Sequence, residues 1–219
     1  ELVSPGEALR PAALYDSNRV VLQALLRRLG CAVTDLGILP DRREIVAEAL
    51  ARAAERHDLI VTSGGVSTGE EDHVKAAVES AGGLTFWRIA IKPGRPVALG
   101  VVGEAAFIGL PGNPVAVFVT FAHVARALVD RLAGADFAPP PAFPVRAGFA
   151  YRKKPGRREY VRVTLTPDAG GWSARKHPRD GAGVISSLTE TDGLVEIAED
   201  VTRVTEGDTV AFLPYALLR

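Results

Sequence analysis

The feature that most limits what this chain can fold into is a change of hydrophobic period at a proline-dense stretch, Ala138-Pro139-Pro140-Pro141-Ala142-Phe143-Pro144. Proline fixes φ and lacks an N–H, so this run continues neither a helix nor a central strand and reads as a stiff linker over residues 139–144. Before it, short apolar runs alternate with stripes of period 3.6; after it the period is two. Strands alternating with helices predict an α/β domain over residues 1–138, with three α/β/α layers and a mostly parallel sheet. The second part has turn signals at Asp168-Ala169-Gly170-Gly171 and Glu206-Gly207-Asp208. Short strands between such turns predict a small β-barrel or sandwich over residues 145–219.

Within the first part the predicted strands are 12–15, 32–36, 59–62, 84–91, 97–102 and 106–110. The first helix carries Val20, Val21, Ala24, Leu25 and Leu29, starts from one of three caps, Asp16-Ser17-Asn18, and ends at Gly30. Asp41 with Glu44 reads as a capping box before Ile45, Val46, Ala49, Leu50 and Ala53. The last helix is long, with Asn113 as cap and Pro114 at its first position.

Four polar, Gly- or Pro-containing segments each follow a predicted strand: Tyr15-Asp16-Ser17-Asn18, Ser63 to Asp72, Lys92 to Pro96, and Pro111 to Pro114. In a parallel sheet their carboxyl ends meet along one edge, where a ligand crevice is expected. Gly64, Gly65 and Gly112 let backbone approach a ligand, Ser63, Ser67 and Thr68 donate hydrogen bonds, and Lys92 and Arg95 supply positive charge on a loop stiffened by Pro93 and Pro96. These types suit a phosphorylated or oxyanionic ligand. Glu70, Glu71 and Asp72 would repel a bare phosphate, so a divalent cation is expected to bridge it, and Asp16 and Asp72 suit either a divalent metal or a ligand hydroxyl. Each feature also has a plain structural explanation. Asp16 suits a helix cap, Lys92 and Arg95 suit solvated surface, and the glycine loop suits an ordinary strand-to-helix turn. The loop does not end in Gly-Lys-Ser/Thr, and Gly64-Gly65 followed by Gly69 has the wrong spacing for a dinucleotide fingerprint.

His57, His73, His123 and His177 are scattered, with no zinc spacing. His123 reads as structural, Trp87 and Trp172 as packing residues, and Cys31 as a small buried filler. Arg152-Lys153-Lys154-Pro155-Gly156-Arg157-Arg158 reads either as a solvated turn or as a lid over an anion. Arg162 lies within an alternating strand and is therefore aimed. The 26 basic residues balance 26 acidic ones, so no global field favours nucleic acid or an anionic membrane. No apolar run approaches the roughly 20 residues of a transmembrane helix. A single cysteine fits a reducing cytoplasm. The sequence contains no methionine, which predicts that these residues continue an upstream region.

Taken together, Tyr-Asp-Ser-Asn, Ser-Gly-Gly-Val-Ser-x-Gly-Glu-x-Asp, Lys-Pro-Gly-Arg-Pro and Leu-Pro-Gly-Asn-Pro, in this order, resemble the molybdopterin molybdenumtransferases, a family that includes bacterial MoeA and the gephyrin E domain. Pro155 to Arg162 and Asp180 to Leu188 resemble the family's C-terminal barrel, and Glu1 falls just after its N-terminal domains. The resemblance implies a molybdopterin-binding α/β domain followed by a barrel. It implies insertion of molybdate into adenylylated molybdopterin with release of AMP and magnesium assistance, in the cytoplasm. By the same resemblance Asp16, Asp72 and Lys92 are catalytic, with Asp16 and Asp72 on the metal. The cofactor cleft is Ser17, Asn18, Ser63, Gly64, Gly65, Val66, Ser67, Gly69, Pro93, Gly94, Arg95, Pro111, Gly112, Asn113 and Pro114, and Arg162 helps hold molybdate. A homodimer in the full-length protein and a molybdopterin adenylyltransferase partner are implied. Two departures stand out: His73 where tyrosine is expected, and Ala182 where the family often has serine. A molybdopterin adenylyltransferase shares the α/β domain but usually lacks a barrel. A pterin- or peptide-binding scaffold of the gephyrin kind is the other alternative.

Overall fold

The computed structural model describes residues 2–65 and 73–218. A short parallel pair, β1 (Leu2–Val3) with β2 (Leu14–Tyr15), leads into α1 (Ser17–Arg28). Of the three candidate caps Asp16 is the one used: its Oδ1 accepts the Arg19 N–H at 3.1 Å. Gly30, at φ +83°, ends the helix. The buried face is Asn18, Leu22, Leu25 and Leu26; of the expected stripe Val21 and Leu29 are half-buried against the same core, while Val20, 54% exposed, and Ala24 turn outward. The polar Asn18 is what the sequence pattern missed, because hydrogen bonds draw it into the buried face. In α2 (Arg43–Ala54) the N-cap is Arg42 with no side-chain bond, so Asp41 sits one residue too early for the expected capping box.

Next come β3 (Leu59–Ser63), α3 (His73–Ala81), β4 (Gly82–Arg88), β5 (Ile91–Lys92), β6 (Pro96–Val102) and β7 (Ala105–Leu110). Then α4 (Pro114–Thr120) passes through a π-helical turn, Phe121–Ala125, into α5 (Arg126–Leu132). The sheet order is β3-β7-β6-β4. Only β3 and β7 run parallel; β7–β6 and β6–β4 are antiparallel. The sheet is therefore mixed rather than mostly parallel. The connections explain this: Gly103 and Glu104 alone join β6 to β7, which permits a hairpin and leaves no room for a crossover. The expected strand over 32–36 does not form. Residues 31–40 pair with no strand of the sheet among the described residues and instead line, together with Leu59–Gly65, a groove of about 1620 Å³.

The three expected layers are present, and side-chain alternation builds them. Ile60, Ala98, Val102 and Phe107 pack with α2 and α3, while Val97, Ile108 and Leu110 pack with α1 and the α4–α5 helix. No helix among the described residues is long and apolar enough to cross a membrane.

The second part comprises β8 (Phe143–Ala147), β9 (Tyr151–Arg152), β10 (Arg158–Asp168), β11 (Gly171–Lys176), α6 (Ser186–Thr189), β12 (Gly193–Ile197), β13 (Arg203–Val204), β14 (Thr209–Pro214) and α7 (Tyr215–Leu218). Pairing runs β11-β8-β14-β12-β10 and back to β11, closing a five-stranded barrel. The first strand begins at Phe143, inside the stretch read as linker. Val145, Val161, Val163, Val195 and Phe212 fill the barrel. Tyr160, Leu194 and Leu213 lie on its outer side and join the core of the α/β part. There Phe118 meets Tyr215 edge-on at 5.3 Å, and His123 stacks on Tyr160 at 4.3 Å. A second join is made by backbone: β5 adds to the barrel sheet parallel to β10, with Ile91 opposite Arg158 and Lys92 opposite Glu159. Trp172 is 55% exposed and does not pack as expected; the side chain of Trp87 lies outside the described part.

His123 fills the structural role expected of it. Burial first, then the charge of Arg158, lowers its pKa from 6.5 to about 4. The unfolded chain therefore binds the proton first as pH falls. The stability held by the neutral ring is complete above pH 6.5 and declines towards pH 4. We expect a loss on the order of 2 kcal/mol between about pH 7 and about pH 4.5. His123→Phe, which keeps a ring against Tyr160, should lose that part of the slope in urea denaturation at the two pH values. An unchanged slope would assign it to other groups.

Candidate functional site

Asn18 ties three of the four sequence segments together. Its Nδ2 donates to the Gly112 carbonyl at 2.6 Å and to Ser63 Oγ at 2.8 Å, and Ser63 Oγ in turn donates to the Pro111 carbonyl at 3.3 Å. The Gly64 N–H bonds the Leu110 carbonyl at 2.9 Å. Gly64 and Gly112 face each other closely: a Cβ on Gly112 would lie 3.9 Å from the Gly64 Cα. Because a carbonyl only accepts, Gly112 fixes which way the Asn18 amide points. That leaves Asn18 Oδ1 buried with no partner among the described residues, on a residue only 8% exposed. A buried acceptor without a donor is unfavourable by about 1–3 kcal/mol, so the site is built to receive an N–H or O–H there.

Asp16, Ser63, Gly64, Gly65 and His73 line the large groove beside this knot, and Ser17 opens α1 next to it. Asp16 is occupied by Arg19, whose backbone N–H and Nε approach it at 3.1 and 3.4 Å. Among the described residues no group of three His, Cys, Asp or Glu side chains could hold a metal ion. Val66, Ser67, Thr68, Gly69, Glu70, Glu71 and Asp72 lie outside the described residues.

The fourth segment does not share that groove, which corrects the expectation of one edge for all four loops. Lys92 and Pro93 line a separate cavity of about 180 Å³ with Tyr151, Glu159, Arg162, Lys176, His177, Asp180 and Ala182. The cause is β5: it hydrogen-bonds to β10, and this carries Lys92 to the barrel. The Lys92–Pro93 peptide is cis, Gly94 is at φ +110°, and Arg95 is exposed. The two places communicate through the start of α4. Asn113 makes no side-chain cap bond, Pro114 takes the first position, and the Val115 N–H goes to the Ala182 carbonyl at 3.0 Å.

Arg162 is 7% exposed. Its Nη1 donates to the Gly181 carbonyl at 3.0 Å and to Ser187 Oγ, and its Nη2 to the Arg179 carbonyl at 2.7 Å. No carboxylate among the described residues lies within ion-pair distance of it; burial lowers its pKa, and the more distant charge of Asp180 offsets this only in part. A buried cation without a counter-ion is unfavourable, and a bound anion removes that penalty. Two other cations of the cavity are paired, Lys92 with Glu159 at 3.1 Å and Lys176 with Asp180, and His177 Nε2 lies at hydrogen-bond distance, 2.9 Å, from Glu190. The basic run is tied down rather than poised as a lid. Arg158 binds Glu196 and Glu199 at 3.2 and 3.0 Å, and Lys153 donates to the Arg157 and Glu199 carbonyls. Tyr151, Glu159 and Ser187 were not singled out from sequence. The available signal was Glu159 itself, a carboxylate placed in phase with Val161 and Val163.

Comparison with known proteins gives the same two parts. Residues 1–131 match the family model described as "Probable molybdopterin binding domain", and residues 144–215 match "MoeA C-terminal region (domain IV)". The chain is 36% identical over 217 residues to a molybdopterin molybdenumtransferase of Haemophilus influenzae, covering 98% of this chain and 54% of that protein. It is 34% identical to molybdopterin molybdenumtransferase 2 of Mycobacterium tuberculosis, covering 94% and 52%. The crystal structure of a molybdopterin biosynthesis MoeA protein from Pyrococcus horikoshii superposes with a TM-score of 0.81 at 28% identity, over 98% of this chain and 52% of that one. The chain thus spans about half the length of these relatives. With an α/β part and a five-stranded barrel matched in order over nearly all of its residues, this chain belongs to the MoeA family and corresponds to its C-terminal portion.

Proposed function

We propose that the chain carries two subsites of a molybdenum-inserting transferase, one for adenylylated molybdopterin and one for molybdate, and that the whole protein joins the two substrates with release of AMP. The observation that carries this is the buried, unpaired guanidinium of Arg162 in a cavity that Lys92 also lines. Molybdate is a compact dianion, and a fixed guanidinium beside an ammonium is what such an ion requires. Ala182 brings no hydroxyl to the cavity, so Arg162 and Lys92 take the anion between them. The pterin goes to the knot of Asn18, Ser63, Gly64 and Gly112, where pterin N–H groups match the open Asn18 Oδ1. Asn113 and the Val115–Ala182 bond link the two subsites. Magnesium, implied by resemblance through Asp16 and Asp72, has no ligand set among the described residues, and the proposal includes no step that depends on it.

Titration of the chain with molybdate and, separately, with adenylylated molybdopterin tests the assignment, followed by chromatography of AMP when both are present. Asn18→Ala is expected to weaken the pterin by about tenfold or more, the equivalent of one buried hydrogen-bonded group. It should leave molybdate affinity essentially unchanged. Equal loss of both ligands would refute two subsites.

A further inference from the structure

The cavity beside Arg162 contains a carboxylate that an anion site alone does not call for. Glu159 is 2% exposed and sits opposite Lys92 in the short parallel bridge between β5 and β10. Its Oε2 accepts from Lys92 Nζ at 3.1 Å and from the Tyr151 hydroxyl at 2.6 Å, while Oε1 lies 4.0 Å from Arg157 Nη2. Tyr151 is held as a neutral donor, because burial and then the bond to Glu159 raise its pKa. The two members of the ion pair are unequal: the Lys92 side chain is 51% exposed and the Glu159 side chain 2%. Glu159 is therefore locked, and Lys92 is free to swing. A fixed negative charge this close to an anion site weakens binding of every anion, and weakens it most where the dielectric is low. Its presence makes physical sense if it sets a threshold.

On the assumption that the cavity is the molybdate subsite, we propose that Glu159 is a specificity-determining residue: an internal substitute for the oxyanion that holds Lys92 when no anion is bound. An incoming anion must draw Lys92 away from Glu159. A dianion, attracted by both Arg162 and Lys92, overcomes that hold; a monoanion of the same tetrahedral shape does not. Glu159 thereby makes the cavity discriminate by charge rather than by size alone.

Molybdate and perchlorate, tetrahedral ions of different charge, are the probes. Calorimetric titration of the wild-type chain should give molybdate binding and no measurable perchlorate binding. Glu159→Gln keeps the volume and an acceptor for Tyr151 but removes the charge. It should bind molybdate about five- to tenfold more tightly, as expected for one nearby charge at an effective dielectric near 20, and should acquire perchlorate binding. Tyr151→Phe acts in the opposite sense. It removes the 2.6 Å donor to the buried carboxylate and, with it, the longer 3.4 Å contact from Lys92 Nζ to the same hydroxyl; the shorter bond dominates, so Glu159 holds Lys92 harder and molybdate should weaken about two- to threefold. Unchanged or weaker molybdate binding in Glu159→Gln, with perchlorate still excluded, overturns the threshold. So does unchanged or tighter binding in Tyr151→Phe, which decides the matter should the Gln variant not fold. Failure of the wild-type chain to bind molybdate would instead remove the anion subsite itself, and the threshold with it.

Discussion

Arg162→Ala should abolish measurable molybdate binding and lower the unfolding free energy by about 3 kcal/mol. The two effects come from the same side chain. Arg162 is the buried cation of the cavity, and it also holds the segment from Arg179 to Ser187 by donating to two backbone carbonyls and one hydroxyl. Truncation leaves those three acceptors short of a donor, and water entering the space offsets only part of the loss. Arg162→Lys separates the contributions. It restores the charge but not the planar fork, so some molybdate affinity should return while stability does not. Denaturant midpoints and calorimetric titration of the three proteins provide the check. Full affinity in Arg162→Ala would leave the guanidinium with a purely structural task.

Gly94→Ala should be comparably damaging, at about 3 kcal/mol or more, or a melting temperature lower by about 6–12 °C for a chain of this size. At φ +110° the backbone is where L side chains rarely go, and the new Cβ would lie 2.3 Å from Thr120 Oγ1 and 3.2 Å from the Ala116 carbonyl. Thr120 is fully buried and donates to the Gly94 carbonyl, so it cannot rotate away without losing that bond. The loop must move instead, and Lys92 moves with it. Thr120→Ala in the same chain removes the closest atom but not the backbone strain, so it should recover part of the loss only. Complete recovery would show that the collision, rather than the dihedral angle, dominates.

Much of this was legible in the sequence because it depends on local chemistry. The proline run marks the end of the α/β part, Asp16 caps α1, Pro114 opens α4, and Arg162 is aimed by its strand. What escaped was relational. Ala32–Leu36 has the composition of a strand, but a strand exists only where it pairs, and this stretch pairs with no strand among the described residues. Val20 and Ala24 look like part of a buried stripe until Asn18, for the sake of two hydrogen bonds, turns the helix. The Lys92 loop carries every mark of the sheet-edge cleft, yet two residues of backbone, Ile91 and Lys92, pair with the barrel and move it. Glu159 was overlooked because a single acid in a strand looks like solvated surface until its burial is known.

That two-residue pairing has a mechanical consequence. A ribbon of backbone bonds and a stacked His123–Tyr160 pair fasten the barrel to the helical layers. Rotation of one part against the other would shear main-chain bonds rather than slide loose side chains. The pocket between them is therefore expected to keep its walls fixed, so that on the proposed reading its aperture changes by movement of the Lys92 side chain and not by the hinging of two bodies.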